Sequence, residues 1–215
     1  MRVVVFGAAG GVGRCAVVAA VEQGHDVVAA ARSAPEAPAG VERVGVDVRD
    51  ARAVAAVLRP GGVVLWCVGV TRRSGGDVGR VGLPHVVAAA GEHGVTRLVS
   101  VSGAGVTLSG DDKGRGARLV SGLTRRLARD LVLDKEGEHA VLAASGLVWT
   151  EVRPPRLTNG PGTGRWSLVV QAPGLRAKPV ARADVAGAML HLVGSQEWVG
   201  RSPFLVAAAA GSVGR

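Results

Sequence analysis

Short apolar runs alternate along the chain with longer stretches in which apolar residues recur at helical spacing. The short runs predict strands over residues 3–6, 26–31, 42–46, 62–68, 96–101 and 147–152. The longer stretches predict helices over residues 11–23, 51–58, 78–92, 183–193, and from 119 or 124 to 144 with a break. Asp50 stands just before the second helix and is a candidate N-cap. This alternation requires parallel strands with helices on both faces of the sheet.

Two segments lack any periodicity. Residues 103–116 are rich in glycine and polar side chains and predict a loop. Residues 154–179 are rich in proline and glycine and predict a substrate-side loop that holds a short strand at 167–170. A last strand is predicted over 203–206, followed by a frayed tail over 207–215. The expected fold is therefore α/β, a single doubly wound Rossmann domain over residues 1–206, with 154–206 on the substrate side.

The segment between the first strand and the first helix reads Gly7-Ala8-Ala9-Gly10-Gly11-Val12-Gly13. Glycine at the first, fourth and seventh positions permits a sharp turn, close approach of the backbone to a pyrophosphate, and tight packing of helix on sheet. The helix N-terminus adds backbone N–H groups and partial positive charge. We expect this turn, including Ala9, Gly11 and Val12, to bind a dinucleotide; the alternative is a plain tight turn.

The end of the second strand carries a basic residue where NAD-binding chains place an acid. Arg32 lies 19 residues after Gly13, close to the position of the acid that binds the ribose 2′-OH. A guanidinium suits the 2′-phosphate of NADP, so NADP(H) is predicted to be preferred over NAD(H), with Arg14 and Ser33 assisting. Otherwise both arginines are solvated surface residues.

Two further positions fit a dinucleotide. Asp47, just after the third strand, would accept a hydrogen bond from the adenine amino group while Val48 packs on the ring. The alternative is that Asp47 merely ends a strand. Gly69 follows the fourth strand, where the chain would pass beneath the ribose of the cofactor and where a glycine permits close approach.

Charge and composition restrict the possible partners. The 215-residue chain has a net charge of +9, but its arginines occur at most in pairs and are not interleaved with the 3% of aromatic residues. Nucleic acid is therefore not an expected partner. No apolar run is long enough to span a membrane. Cys15 and Cys67 belong to no metal-binding pattern and are expected to be free thiols in the cytoplasm. The oligomeric state stays open.

Several motifs together resemble the atypical short-chain dehydrogenase/reductases of the NAD(P)H-binding, NmrA-like group, and within it the biliverdin reductase B (flavin reductase) branch. Besides the glycine turn and Arg32, they are Gly45-Val46-Asp47-Val48, Ser100-Val101-Ser102, Ala144-Ser145-Gly146-Leu147-Val148-Trp149-Thr150, Val152-Arg153-Pro154-Pro155 and Val180-Ala181-Arg182-Ala183-Asp184-Val185-Ala186. The resemblance covers residues 2–206. It implies that NADPH is bound by Gly7, Gly10, Gly13, Arg32, Asp47 and Val48. It also implies that Gly69, Ser102, Pro154 and Pro155 face the nicotinamide.

Many proteins of this group use a Tyr-x-x-x-Lys pair and a serine after the fifth strand, the lysine lowering the pKa of the phenol. Lys135 fits the position of the lysine, but Leu131 stands where the tyrosine would be, and the chain contains no tyrosine. Alcohol–carbonyl chemistry through a phenol is therefore not expected. The resemblance implies a reductase in which NADPH passes hydride to a flavin, quinone or similar acceptor and solvent supplies the proton.

The candidate catalytic residues are Ser102, Lys135 and His139. Ser102 would contact the nicotinamide or substrate, and Lys135 would hold the ribose hydroxyls. His139, one helical turn after Lys135, would contact substrate or donate a proton. Arg156 would meet an anionic group of the substrate. Each has a structural alternative: a strand-end hydroxyl, solvated cations, or a packed histidine.

Two other functions stay open. Some NmrA-like proteins are non-catalytic and respond to NADP(H), and the chain fits such a regulatory role. Nucleotide-sugar epimerase or dehydratase chemistry is the third possibility, and the missing tyrosine argues against it.

Overall fold

A computed structural model of the chain describes residues 1–174 and 177–208. Its centre is a six-stranded sheet in the order β3-β2-β1-β4-β5-β6, in which every neighbouring pair is parallel. The strands are β1 (Arg2–Phe6), β2 (Asp26–Ala31), β3 (Glu42–Gly45), β4 (Val63–Trp66), β5 (Arg97–Val101) and β6 (Trp149–Val152). This order confirms the doubly wound Rossmann fold. The strand order reverses between β1 and β4, where such sheets bind ligands at their carboxyl ends.

Helices cover both faces of the sheet, as predicted. They are α1 (Gly11–Glu22), α2 (Ala51–Val57), α3 (Val78–Glu92), α4 (Arg115–Leu127), α5 (Arg129–Ala144) and α6 (Arg182–Gly194). Alternate residues of β1 point to opposite sides: Val5 packs with α1 and α6, whereas Phe6 packs with α2 and α3. Asp50 caps α2 as expected, since its Oδ1 accepts hydrogen bonds from the backbone N–H groups of Arg52 and Ala53 at 2.9 and 3.1 Å.

Three predicted boundaries were wrong by two residues or more, one being the end of β4, which lies at Trp66 and not at residue 68. Helix α4 begins at Arg115, inside the predicted loop over 103–116, and the expected break falls at Ala128, between α4 and α5. The first turn of α4, Arg115-Gly116-Ala117-Arg118, precedes the leucines at 119, 123 and 127 that carry its periodicity, and α4 buries only Ala117 and Ser121. The sixth strand begins at Trp149 and not at residue 147, because the chain first turns at Gly146 with a φ of 67°.

The substrate-side segment forms small sheets at the margin of the main one. The strand predicted at 167–170 appears as β8 (Trp166–Val169), and it pairs with β10 (Phe204–Ala207) in antiparallel orientation. Two short strands that were not predicted, β7 (Leu157–Thr158) and β9 (Val180–Ala181), pair in parallel. Residue 207 belongs to β10 and not to a frayed tail, and the predicted tail over 209–215 lies outside the described residues.

None of the helices within 1–174 and 177–208 combines the length and apolar character needed to cross a bilayer.

Buried carboxylates join α5 to the start of α3. Asp134 is fully buried, and its Oδ1 accepts hydrogen bonds from the backbone N–H groups of Gly79 and Arg80 at 3.0 and 2.9 Å. Glu138 is also fully buried, and a Cβ atom at residue 79 would lie 1.7 Å from its Oε1, so only glycine fits there. Lys135 lies 2.8 Å from Glu138 Oε2 and supplies the opposing charge. These contacts fix α5 against α3 and determine where Lys135 lies.

Burial raises the pKa of Glu138 from 4.5 to about 7, although the Lys135 ammonium acts in the opposite direction. Because the folded state holds this proton more tightly than the unfolded chain, its contribution to stability is largest below about pH 4.5 and is lost as pH rises to about 7. We expect the free energy of unfolding to fall between about pH 5 and about pH 8 by on the order of 2 kcal/mol more in the wild type than in Glu138→Gln.

Denaturant unfolding at the two pH values measures this difference. Glu36→Gln is the matched control, because Glu36 is exposed. A Glu138→Gln variant with the same pH dependence as this control would contradict the assignment.

Candidate functional site

In the glycine turn after β1, backbone atoms approach one another so closely that no side chain would fit. Gly7 has a φ of 78°, and a Cβ atom there would lie 2.6 Å from the backbone carbonyl of Cys67 at the end of β4. A Cβ atom on Gly13 would lie 2.2 Å from the carbonyl oxygen of Gly7. No side chain caps the N-terminus of α1 at Gly10, and its first turn holds no acidic residue. The turn therefore presents a positive helix end at the reversal point of the sheet.

The guanidinium of Arg14 binds the turn itself, since its Nη1 donates to the carbonyl of Ala9 at 2.9 Å. Arg32 is exposed at the end of β2, and its Nη1 donates to the backbone carbonyl of Arg73 at 2.5 Å. Ser33 is exposed beside it. Of the two arginines proposed for the 2′-phosphate, Arg32 thus projects from the strand end while Arg14 is hydrogen-bonded within the turn.

The loop that receives Arg32 is held in place by a second arginine. Arg49 Nη2 donates to the carbonyl of Ser74 at 3.2 Å and forms an ion pair with Asp77. The hydrogen bond from Arg49 holds the pKa of Asp77 below its ordinary value. The segment from Thr71 to Asp77 is thereby tied to the residues that follow β3.

Asp47 and Val48, the two residues expected at the adenine, lie in different environments. Asp47 is exposed, and its Oδ1 accepts from the backbone N–H of Arg49 at 3.0 Å. Val48 is buried against α3, where a Cβ atom on Gly82 would lie 2.5 Å from Val48 Cγ2. Asp47 is therefore available to a ligand, whereas much of the Val48 side chain belongs to the core. Beyond β4, Gly69 has open space where a side chain would stand.

Lys135 reaches the end of β4, where the ribose is expected. Its Nζ donates to the carbonyl of Val68 at 2.7 Å and to the two carboxylate oxygens of Glu138 at 3.0 and 2.8 Å. The Lys135 side chain is buried, and its ammonium is hydrogen-bonded to Glu138. A ribose that contacts Lys135 would therefore share its ammonium with Glu138. This carboxylate partner was not predicted from the sequence.

Ser102 follows β5, and within the described residues its buried Oγ has no hydrogen-bond partner. Unpaired buried hydroxyls are uncommon because they lose hydration without compensation, which suits a group that meets a ligand. Pro154 and Pro155 follow β6, and the carbonyl of Pro154 accepts from the N–H of Ala104 at 2.8 Å. A backbone hydrogen bond thus joins the segments that follow β5 and β6, beside Ser102. Arg156 lies just beyond them and is exposed.

His139 lies in a different environment from Lys135. Its Nδ1 is 3.0 Å from Glu151 Oε2, and Ser202 Oγ donates to the same oxygen at 2.9 Å. The histidine borders a cavity of about 310 Å³ whose lining residues within the described chain are Leu108, Ser109, Gly110, Asp111, His139, Trp149, Arg153, Val170, Trp198, Gly200, Arg201, Ser202 and Pro203. The structure does not bring His139 together with the glycine turn, and its contact with a substrate stays a prediction.

Cys67 lies directly against the turn, but its thiol is not a nucleophile at neutral pH. Burial raises the pKa of its thiol to about 12, so the sulfur stays protonated at neutral pH.

One charged residue at the turn was not predicted from the sequence. A Cβ atom on Gly11 would lie 2.5 Å from Nε of Arg182, so this guanidinium lies over the first residue of α1. Arg182 is part of the motif over 180–186 that carried the family resemblance. That motif was the one sequence feature that could have drawn attention to this arginine.

Comparison with known proteins identifies the family. The model of a family described as NAD(P)H-binding matches residues 7–196. Uncharacterized proteins of Mycobacterium tuberculosis and Mycobacterium bovis are each 35% identical over 103 residues, which is 47% of this chain and 12% of theirs. The matched region thus spans only a small part of these relatives.

Solved structures show the same fold over nearly the whole chain. The anaerobillin reductase ChuY from Escherichia coli O157:H7 has a TM-score of 0.75 at 22% identity, covering 99% of this chain and 100% of that one. The oxidoreductase ylbE from Lactococcus lactis has a TM-score of 0.79 at 19% identity, covering 97% and 91%. A short-chain dehydrogenase/reductase from Veillonella parvula in complex with NADP has a TM-score of 0.76 at 18% identity, covering 99% and 96%.

These three structures share the fold that the strand order had already indicated. The match over residues 7–196 includes the turn, the end of β2 and the start of α6. The chain belongs to the NAD(P)H-binding family and has the fold of these three structures.

Proposed function

We propose that this protein is an NADPH-dependent oxidoreductase that transfers hydride to a flavin, a quinone or a similar conjugated acceptor without a tyrosine acid. The observation that carries the proposal is the composition of the site around Lys135. The lysine is present at the end of β4, but its ammonium is bound to Glu138, and the chain holds no phenol. Leu131 stands at the position of the tyrosine, with 38% of its surface exposed.

A conjugated acceptor needs little proton chemistry from the protein. Bound NADPH supplies two electrons and a proton as hydride, and water provides the second proton to the reduced acceptor. The residues of this chain then bind and orient the two molecules. The turn holds the phosphates, the unpaired hydroxyl of Ser102 meets the nicotinamide or the acceptor, and Arg156 meets an anionic group of the acceptor. The reductase activity of ChuY and the NADP bound to the Veillonella parvula protein are consistent with this function.

The preference for NADPH rests on the position of Arg32. Its guanidinium is exposed at the end of β2, where the 2′-substituent of the adenosine ribose lies in this fold. Its hydrogen bond to the carbonyl of Arg73 leaves other donors of the planar fork free for a phosphate. Asp47 and Ser33, both exposed nearby, complete the polar surroundings of the adenosine.

Replacing Arg32 with alanine should weaken NADPH binding by about tenfold or more, because a charge-assisted hydrogen bond to the 2′-phosphate is lost. NADH lacks that phosphate, so its dissociation constant should change by less than about twofold. Fluorescence titration of wild type and variant with both cofactors measures the effect. Arg43→Ala, which removes an exposed arginine from β3, is the matched control. Equal losses for NADPH and NADH would overturn the assignment of Arg32.

Purified protein should oxidise NADPH slowly in the presence of FMN, FAD or quinones, as followed by the absorbance of the reduced nicotinamide. Gly13→Val should abolish this turnover, because a side chain at residue 13 collides with the carbonyl of Gly7 and opens the turn. Retained turnover in that variant would show that the activity does not come from this site. Tight NADPH binding without turnover across the acceptor panel would instead support a regulatory protein that responds to NADP(H).

A further inference from the structure

Arg182 is the first residue of α6, and its side chain lies across the N-terminus of α1. A Cβ atom at residue 11 would be 2.5 Å from Nε and 2.6 Å from Cδ of this arginine. The glycine at residue 11 is therefore what lets the guanidinium lie on the first turn of the helix. At its far end, Arg182 Nη1 donates to Oδ1 of Asn159. The side chain is thus fixed between the substrate-side segment and the glycine turn.

This placement brings like charges together. The N-terminus of α1 carries partial positive charge, and neither a side-chain cap nor an acidic residue in its first turn offsets it. Among residues 1–174 and 177–208, no carboxylate oxygen lies within 4.0 Å of the Arg182 guanidinium. A cation with no counter-ion beside a positive helix end is unfavourable unless an anion binds between them.

The packing of the helices keeps the start of α6 beside the start of α1. Helices α1 and α6 pack side by side in one apolar cluster, with Ala16 and Val17 of α1 beside Val185 and Met189 of α6. Arg182 begins the very helix that is fixed in this way. The unfavourable contact is therefore part of the architecture, and such violations of local electrostatics concentrate at functional sites.

We propose that Arg182 binds the pyrophosphate of the dinucleotide, opposite the N–H groups of the glycine turn. This inference rests on the proposed function, since it requires the cofactor at that turn. A pyrophosphate carries two negative charges, and the planar fork of arginine can donate two parallel hydrogen bonds to its oxygens. Asn159 keeps the guanidinium in position. Because NADPH and NADH share the pyrophosphate, Arg182 contributes to the affinity for both, whereas Arg32 discriminates between them.

Arg182→Met tests the proposal, since methionine retains part of the apolar stem without the charge. NADPH and NADH should both bind about tenfold or more weakly, and the ratio of their dissociation constants should stay as in the wild type. Arg32→Ala should change that ratio. Arg59→Met is the matched control: it removes one positive charge just before β4, at the amino-terminal ends of the strands and so opposite the glycine turn, and should leave both constants within about twofold.

A purely structural role for Arg182 gives a different result. If the arginine only ties α6 to Asn159, Arg182→Met lowers the melting temperature of the cofactor-free protein and leaves both dissociation constants unchanged, which would overturn the proposal. We expect the reverse: the cofactor-free melting temperature is retained or raised, because a like-charge contact is removed. The increase in melting temperature on adding NADPH should shrink.

The two proposals fail in distinguishable ways. Wild-type protein that binds neither NADPH nor NADH overturns both the proposed function and the role of Arg182. Wild-type protein that binds NADPH, together with an Arg182→Met variant of equal affinity, overturns the role of Arg182 alone.

Discussion

The contact between the glycine turn and the end of β4 is the constraint on which the rest of this structure depends. The backbone of Gly7 lies against the carbonyl of Cys67, and Gly13 lies against Gly7, at distances that exclude any Cβ atom. These approaches let α1 begin directly above the reversal point of the sheet. They also set the height of α1 over β1 and β4, and hence the position of α6, which packs against α1. The site is built chiefly from main chain, and only a few side chains are aimed into it.

Much of the fold could be predicted from the sequence because its determinants are local. The alternation of valine-rich runs with helical periodicity gave the strand and helix order, and Asp50 marked the start of α2. Helix α4 began earlier than predicted because its first turn holds no apolar residue at helical spacing, and the leucines at 119, 123 and 127 that follow are exposed. No apolar stripe facing a core was there to find.

The site was harder to predict where its contacts join distant parts of the chain. Helical spacing placed His139 near Lys135, yet Lys135 reaches β4 and His139 reaches Glu151 on β6. Those strands are separated by β5, so their axes lie about 10 Å apart. A spacing rule for one helix cannot show which strand each side chain meets. The contact of Arg182 with Gly11 depends likewise on how two helices pack, and no local pattern contains it.

The hydrogen bond between Arg32 and the carbonyl of Arg73 has a consequence for cofactor selection. Because this bond uses Nη1 alone, a 2′-phosphate would meet the remaining donors of the fork, and the carbonyl would keep the guanidinium in place. A cofactor without the phosphate leaves the original bond intact. A selectivity for NADPH would therefore report the contact of the phosphate with a guanidinium that Arg73 already holds in position.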